Sequence, residues 1–484
     1  MIDHKRTKII CTIGPATNDD DVLRNMMLAG MNVARLNFSH GSHEDHRKNI
    51  ERVRRIAAEL GKQVAILSDT KGPEIRTRLN KGREPIMLNT DDKVRITTQP
   101  VESTQDCIAL DYRALPYEIK PSELIYIDDG LIGLRVDRVE GEDIFCTVIN
   151  GGAVGEHKGV NLPNVVVSLP AVTEQDKADI EFSCKMGVDV IAASFVRNAE
   201  AVQEIRTLCA SYGAPHMQIY SKIECAVAVE RFDQILSVSD GIMVARGDLG
   251  IEIPPSDVPH VQKSIIQRCN QEYRPVITAT QMLDSMVHNP RPTRAEVTDV
   301  ANAINEGTDC VMLSAETAVG KYPVETVRMM SEICLKTEQH LPERHEYHDR
   351  GGMRNVSGAT GYSAVTAAQL VGAKALMCPT LSGRSARIMS EFRPRLPIIA
   401  TSPSEATLRR TCFFWGVEAL LSKEQGSVTQ IAYSALNEAK RANMLSSGDV
   451  VVVTAGDPMS SPSLQVGEIS SYTPTNVFII AEVI

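Results

Sequence analysis

The sequence predicts an α/β protein: a (β/α)8 TIM barrel with an inserted small β-barrel lid domain and a C-terminal α/β domain. Three observations predict it. Eight short apolar runs recur, each followed by helix signals, the pattern of repeated β-then-α units. An alternating stretch with Gly and Asp turns interrupts the series after the third run. Past a polar connector, a second series of apolar runs begins. An open doubly wound sheet is the architectural rival for the first series.

The eight runs are TKIICTI (7–13), VARLNFS (33–39), VAILSD (64–69), DVIAASFV (189–196), QIYSKIE (218–224), GIMVARG (241–247), VITATQM (276–282) and CVMLSAET (310–317). Between them, helices are expected from about Asp21 to Ala29 before Gly30, and from about Thr173 to Met186 before Gly187. The clearest helix lies in RPTRAEVTDVANAINEG, where Thr293 and Glu296 form a capping box. Its apolar positions Val297, Val300, Ala301 and Ile304 follow helical spacing, and Gly307 is its stop signal.

These runs place the barrel in residues 1–71 and 167–338 and the inserted β domain in 72–166. Hinged over the strand ends, such an insertion can act as a lid. Residues 339–354, which contain His340, His345 and His348, read as a hydrophilic linker rather than a metal tract. Residues 355–484 form the third domain, with strands expected in KALMCPT, PIIATSP, VEALLS, DVVVVTAG and NVFIIAEV.

Composition excludes several classes. At 484 residues the chain has room for about two to four domains. Its 43% hydrophobic and 23% charged residues are those of an ordinary globular protein, and no apolar run reaches membrane-spanning length. The N-terminus, MIDHKRTKII, passes directly into a strand-like run without a secretory signal, so a cytoplasmic location is expected. Eleven cysteines without CxxC spacing read as reduced thiols. A net charge of −10 argues against a nucleic-acid partner while leaving room for a locally basic pocket.

Barrel enzymes carry their chemistry at the C-terminal ends of the strands, and here those ends are polar. The second run offers Arg35, Asn37 and Ser39, then His40; the third offers Asp69, Thr70 and Lys71. The fifth gives Lys222 and Glu224, the sixth Arg246 and Asp248, the seventh Thr278 and Thr280, the eighth Ser314 and Glu316. An isolated KxE is usually a local ion pair. Strand alternation, however, points Lys222 and Glu224 to the same side. Adjacent strands lie about 4.8 Å apart, so Glu224 and Asp248 can converge on one cation. Magnesium suits such a pair, whereas zinc would recruit His or Cys. Arg35, Lys71, Arg76 and Lys222 then supply the positive charge an anionic phosphorylated substrate needs.

The runs CTIGPAT, ARLNFSHG, DTKGPEIRT, GVNLPN, SKIE, ARGDLGIEIP, TATQMLDSM, RPTRAEVTDVANA and MLSAETA resemble pyruvate kinase, in order and across essentially the whole chain. The resemblance implies transfer of the phosphoryl group of phosphoenolpyruvate to ADP, giving pyruvate and ATP at the last step of glycolysis. By motif, Glu224 and Asp248 would hold Mg2+ (or Mn2+), and Lys222 would neutralise the moving phosphoryl group. The N–H groups around Gly247 and Asp248 would receive the substrate carboxylate, and Thr280 would bond the substrate near the enolate. Arg35 corresponds to the phosphate-contacting arginine. Asn37, His40, Arg76 and Lys158 would line the nucleotide side, gripping ADP by side chains because no Walker A loop is present. Asn37, Ser39, Asp69 and Thr70 correspond to a K+ site, and Glu74 accompanies potassium dependence in the family.

Enolate protonation is a separate step, for which a water relay including Thr280 or Ser314 is expected. In PTLSGRSARIMS, residues Thr380, Ser382, Gly383, Arg384 and Ser385 resemble an allosteric sugar-phosphate site; the stretch AGDPMSSPSLQVGEISSYTPTN departs from the family's Gly-rich effector loop and leaves a sugar phosphate or a nucleotide open as the effector. A homotetramer is implied by the family alone. Two other readings stay open: a magnesium-dependent oxo-acid lyase or aldolase on the same barrel, and a catalytically silent sugar-phosphate sensor. HGSHEDH, with His40, His43 and His46, opens a helix rather than a zinc site, and Trp415 reads as packing.

Overall fold

A computed structural model describes residues 5–341, 355–423, 427–456 and 475–484. The first eight apolar runs become β1 (Lys8–Thr12), β2 (Val33–Asn37), β3 (Ala65–Asp69), β4 (Val190–Ala193), β5 (Gln218–Ile223), β6 (Gly241–Ala245), β7 (Val276–Ala279) and β8 (Cys310–Leu313). They close in the order β1-β8-β7-β6-β5-β4-β3-β2, so the open sheet is ruled out. All pairings are parallel.

Both faces of these strands are buried, which is why they read as unbroken apolar runs. Ile9 and Cys11 pack outward against the helices, while Ile10 between them packs inward. The inner layer, with Val33, Leu67, Met243 and Met312, is continuous with Phe413 of the C-terminal part. The ring of Phe413 lies 5.2 Å from that of Tyr220 and plugs the N-terminal end of the barrel.

Every strand but β3 stops one to four residues short of the end of its apolar run, and the shortfall matters most at β6, β7 and β8. Arg246 and Asp248 lie in a short helix, Arg246–Glu252, and Thr280 and Ser314 follow the last residues of β7 and β8. Side chains take the N–H groups that would have extended the ladders: the Gly247 N–H donates to Thr280 Oγ1 at 2.8 Å, and the Ser314 N–H to Glu316 Oε2 at 2.6 Å.

Helix Glu174–Met186 starts at a Thr173–Asp176 capping box. Helix Arg294–Glu306 starts at the Thr293–Glu296 box and stops at Gly307 (φ 109°). Its buried residues are Val300, Ala303 and Ile304, so the apolar stripe is turned towards Ala303 and leaves Ala301 half-buried.

Between β3 and β4 the chain leaves the barrel through Gly72, whose φ of 73° suits glycine and where a Cβ would stand 2.8 Å from Ser194. The inserted segment forms a seven-stranded sheet and a two-stranded ribbon around Ile96, Ile108, Leu134 and Val148. Beyond the barrel, β9 (Ala375–Pro379), β10 (Ile398–Ser402), β11 (Val417–Leu421), β12 (Val450–Ala455) and β13 (Val477–Glu482) form a sheet in the order β11-β10-β9-β12-β13.

This sheet's domain is riveted to the barrel by buried charge: Arg393 meets Asp309 at 2.7 Å and Arg409 meets Asp189 at 2.9 Å. Trp415, 2% exposed, lies between the guanidinium groups of Arg6 and Arg393 and packs as expected. His340 bonds the Lys336 carbonyl; His345, His348 and most of the stretch from Ala455 to Asn476 lie outside the described residues. All eleven cysteines are free. No helix among the described residues is long and apolar enough to cross a membrane.

Candidate active site

The barrel mouth is organised around one ammonium. Lys222 Nζ lies 2.8 Å from Glu224 Oε1 and 3.1 Å from Asp69 Oδ1, and donates to Ser194 Oγ at 2.8 Å. The alternation of β5 brings Lys222 and Glu224 to the same side, as the sequence predicts. Arg35 donates from Nε to Asp69 Oδ2 at 2.7 Å and from Nη1 to Thr12 Oγ1 at 2.9 Å. Asp69 is therefore clamped between two cations.

The protonation equilibria follow from this geometry. Burial alone would lower the Lys222 pKa, and Asp69, Glu224 and Asp248 more than reverse it, raising it above the ordinary value. Burial would raise Asp69, but Lys222 and Arg35 bring it below the carboxylate range. Glu224 goes the other way: burial outweighs Lys222 and pushes it up to about 7, with Asp248 adding to the rise. Asp248 is raised by burial and by the acids Asp129, Glu74 and Asp69, against Lys222.

Negative charge is thus in surplus. Among the described residues no hydrogen bond or ion pair reaches the Asp248 carboxylate, and Glu224 has only the Phe195 N–H at Oε2 beside its Lys222 contact at Oε1. Two acids short of positive charge, with no third His, Cys, Asp or Glu completing a metal cluster among the described residues, fit a magnesium-like ion that draws its other ligands from substrate and water.

The four oxygen donors Asn37, Ser39, Asp69 and Thr70 lie at the ends of β2 and β3. Asn37 Oδ1 accepts the Ser39 N–H at 3.1 Å, and the Thr70 carbonyl accepts Ser194 Oγ at 2.5 Å. Ser194 touches Lys222, Asp69 and Thr70; it stands near the end of the fourth apolar run, DVIAASFV, where the other runs carry their polar residues.

Thr280 sits at φ 66° and Gln281 at 51°, left-handed backbone that non-glycine residues rarely adopt. Arg246 fixes this turn by donating to the Ala279 and Thr280 carbonyls at 3.1 and 2.7 Å, while Asp299 holds the guanidinium at 2.7 Å. The Thr280 hydroxyl accepts from Gly247 and donates to the Ala279 carbonyl. Ser314 Oγ is buried and has no hydrogen-bond partner among the described residues.

A cleft of about 580 Å3 separates this mouth from the inserted sheet and brings together Asp248, Arg76 and Lys158. Arg76 is pinned to Glu74 (2.8 Å) and to the His157 carbonyl (2.7 Å), and Lys158 to Asp128 (2.9 Å). Asn161 of the insertion donates to Glu252 of the barrel at 3.1 Å. Lys71 lies 4.0 Å from Glu74. His40 is exposed in the turn after β2, and neither it nor Asn37 lines the cleft. His43 pairs with Asp179 at 2.6 Å and stacks on Phe182, whereas His46 stacks on Phe38.

In the C-terminal domain, Thr380 Oγ1 accepts the Gly383 N–H at 3.0 Å and Ser382 Oγ the Arg384 N–H at 3.5 Å. Ser385 Oγ meets Thr475 Oγ1 at 2.6 Å. The turn's first donors are therefore capped from within.

A closed parallel barrel with a fixed ammonium, two acids short of counter-charge and an inserted β sheet across the cleft defines a barrel enzyme for an anionic substrate. Comparison with known proteins gives the particular family. The model described as "Pyruvate kinase, barrel domain" matches residues 4–327, and "Pyruvate kinase, alpha/beta domain" matches 358–465. Curated pyruvate kinases from Geobacillus stearothermophilus and Clostridium acetobutylicum are 46% and 44% identical, over 99% and 94% of this chain and 81% and 96% of theirs. A crystal structure of a pyruvate kinase from Cryptosporidium parvum superposes with a TM-score of 0.92 at 38% identity, covering 99% of this chain and 96% of that one. The chain belongs to the pyruvate kinase family of phosphotransferases.

Proposed function

We propose that the barrel mouth transfers the phosphoryl group of phosphoenolpyruvate to ADP, giving pyruvate and ATP, and that Lys222, Arg35 and Thr280 are its catalytic side chains. The observation that carries this reading is the Lys222 ammonium held 2.8 and 3.1 Å from two buried carboxylates beside Asp248. Phosphoryl transfer passes through a loose transition state, so fixed charge and alignment are the main services a protein can offer. Lys222 and Arg35 supply that charge on the substrate side without reorganising, because Asp69 already orients both.

Glu224 and Asp248 would hold Mg2+ or Mn2+, which supplies charge to the substrate's phosphate and carboxylate oxygens. Asn37, Ser39, Asp69 and Thr70 would hold K+. The N–H groups of Gly247 and Asp248 receive the substrate carboxylate, with the Thr280 hydroxyl yielding its present bond to Gly247. Arg76 and Lys158 exchange Glu74 and Asp128 for the nucleotide phosphates as the 72–166 lid closes about Gly72, with His40 and Asn37 on the nucleotide side. The buried Ser314 Oγ, without a hydrogen-bond partner among the described residues, favours a water relay to the enolate; an unchanged hydrogen-exchange rate of pyruvate in Thr280→Val would count against the part given to Thr280.

The Thr380–Ser385 turn is assigned to a phosphorylated effector, the assembly to a homotetramer and the location to the cytoplasm. The first test is direct: with phosphoenolpyruvate, ADP, magnesium and potassium, the wild type forms pyruvate and ATP and Lys222→Met does not. No ATP from folded wild type overturns the reading.

A further inference from the structure

The short helix Arg246–Glu252 does more than carry Asp248. Asp248 and Glu252 stand one turn apart on it, so their side chains share a face, and both line the cleft under the inserted sheet. Glu252 finds its partners outside the barrel: its Oε1 accepts from Asn161 Nδ2 at 3.1 Å, and the Leu162 N–H lies against the same carboxylate. Both donors belong to the insertion. Among the described residues no lysine, arginine or histidine pairs with Glu252. Burial raises its pKa, Asn161 opposes that rise, and Asp248 adds to it. A second contact reaches the same helix. The turn 128–130 holds three consecutive residues at positive φ, 55°, 54° and 82°, and a Cβ on Gly130 would stand 3.6 Å from Ile251 Cγ2.

Lys158 immediately precedes the strand Gly159–Asn161. The route from Lys158 to Asp248 is therefore three extended residues, about 10 Å, then one hydrogen bond and one helical turn of about 6 Å. No flexible segment intervenes. The two chain crossings are held separately: Asp176 Oδ1 accepts the Gly72 N–H at 2.9 Å where the chain leaves the barrel, and Arg197 donates to the Val167 carbonyl at 3.2 Å and to the Leu169 carbonyl where it returns. Loss of the Asn161–Glu252 bond thus leaves both crossings in place and frees only the position of the insertion over the cleft.

We propose that Glu252 is a positioning residue for the nucleotide: by gripping the insertion at Asn161 it sets the spacing between Lys158 and Asp248. The inference rests on the phosphoryl-transfer reading, and its consequence is a division between the two substrates. Phosphoenolpyruvate meets Lys222, Arg35 and the Gly247 N–H, all on the barrel, and is indifferent to where the insertion stands. ADP meets Arg76 and Lys158, both on the insertion, and depends on it.

Asn161→Ala and Glu252→Ala are each expected to raise the KM for ADP about tenfold, the scale of one charge-assisted hydrogen bond lost, with the KM for phosphoenolpyruvate unchanged. The double variant should be no worse than the worse single one, because both remove the same bond. Glu252→Gln, whose amide oxygen still accepts from Asn161, should recover most of the loss. A merely structural role would move both KM values together, or lower the denaturation midpoint without touching either. An unchanged KM for ADP in Asn161→Ala, or an equal rise for both substrates, overturns the assignment. A second readout needs no turnover: in the substrate-free full chain, amide hydrogen exchange should quicken across residues 72–166 in Asn161→Ala and Glu252→Ala and stay as in the wild type within the barrel strands. If the wild type forms no ATP, the phosphoryl-transfer reading falls; unchanged exchange across 72–166 refutes the tether itself.

Discussion

At the N-terminal end of the barrel, Asp309 and Asp189 are each closed by an arginine of the C-terminal domain, Arg393 at 2.7 Å and Arg409 at 2.9 Å. At the C-terminal end, one lysine is shared by Glu224 and Asp69 while Asp248 has no partner among the described residues. The same eight strands support both ends, so the difference lies in the loops. Matched buried charge fixes one rigid arrangement. Unmatched buried charge raises the energy of the free protein and lowers it again when a ligand brings the missing sign, so it marks where binding happens.

The comparison breaks most visibly under substitution of its two central cations. Lys222→Met should lower kcat at least about 10³-fold, the scale of losing a preorganised charge at the reacting centre. Its folded state should survive, because Glu224, already near neutrality, can take up a proton. Arg393→Met should do the reverse. It strands Asp309, 0% exposed, and costs about 3–5 kcal/mol of stability while kcat of the folded enzyme holds. Turnover and denaturation midpoints measured on both variants decide. If Arg393→Met lost turnover at an unchanged midpoint, matched pairs would not be mere rivets.

Potassium sharpens the same contrast at smaller scale. Replacing K+ by a bulky organic cation is expected to lower kcat/KM about tenfold, a coupling of about 1.4 kcal/mol. Glu74→Lys should recover part of that loss by bringing a fixed positive charge to the mouth. Full activity without potassium would remove the Asn37, Ser39, Asp69 and Thr70 site from the account.

The raised acid gives a pH signature. Glu224, lifted to about 7 chiefly by burial, is protonated below that pH and must lose its proton to bind a metal. Mn2+ affinity without substrate should therefore be flat above pH 7 and fall by up to about tenfold per unit below it. Glu224→Gln should abolish the slope. The sign for stability is opposite: this carboxyl holds its proton more tightly folded than unfolded, so its contribution to metal-free stability declines as pH rises from 4.5 to about 7.

What was legible in the sequence follows from the same physics. The barrel strands were readable because both faces are buried, and Lys222 with Glu224 because a period of two is a local rule. Asp248 was found by its position after an apolar run, although it stands on a short helix rather than a strand. The left-handed backbone of Phe195 and Thr280 left no trace, since neither residue type announces a positive φ.

The smallest effect tests whether the mouth is insulated from its supports. Thr293 caps the helix that carries Asp299, and Asp299 holds Arg246, which in turn fixes the Thr280 turn. Removing an N-cap hydroxyl costs about 1 kcal/mol. Here Glu296 also accepts the Ser285 N–H at 2.7 Å and its hydroxyl at 2.6 Å, which anchors the first turn independently of Thr293. Fraying should therefore stop short of Asp299. Thr293→Ala is expected to lower stability by about 1 kcal/mol or less and to leave kcat and the KM for phosphoenolpyruvate unchanged. A fall in kcat at that small stability loss would show that the Arg246–Asp299 link transmits helix motion to Thr280, and the mouth would then be tuned by its scaffold as well as by its ligands.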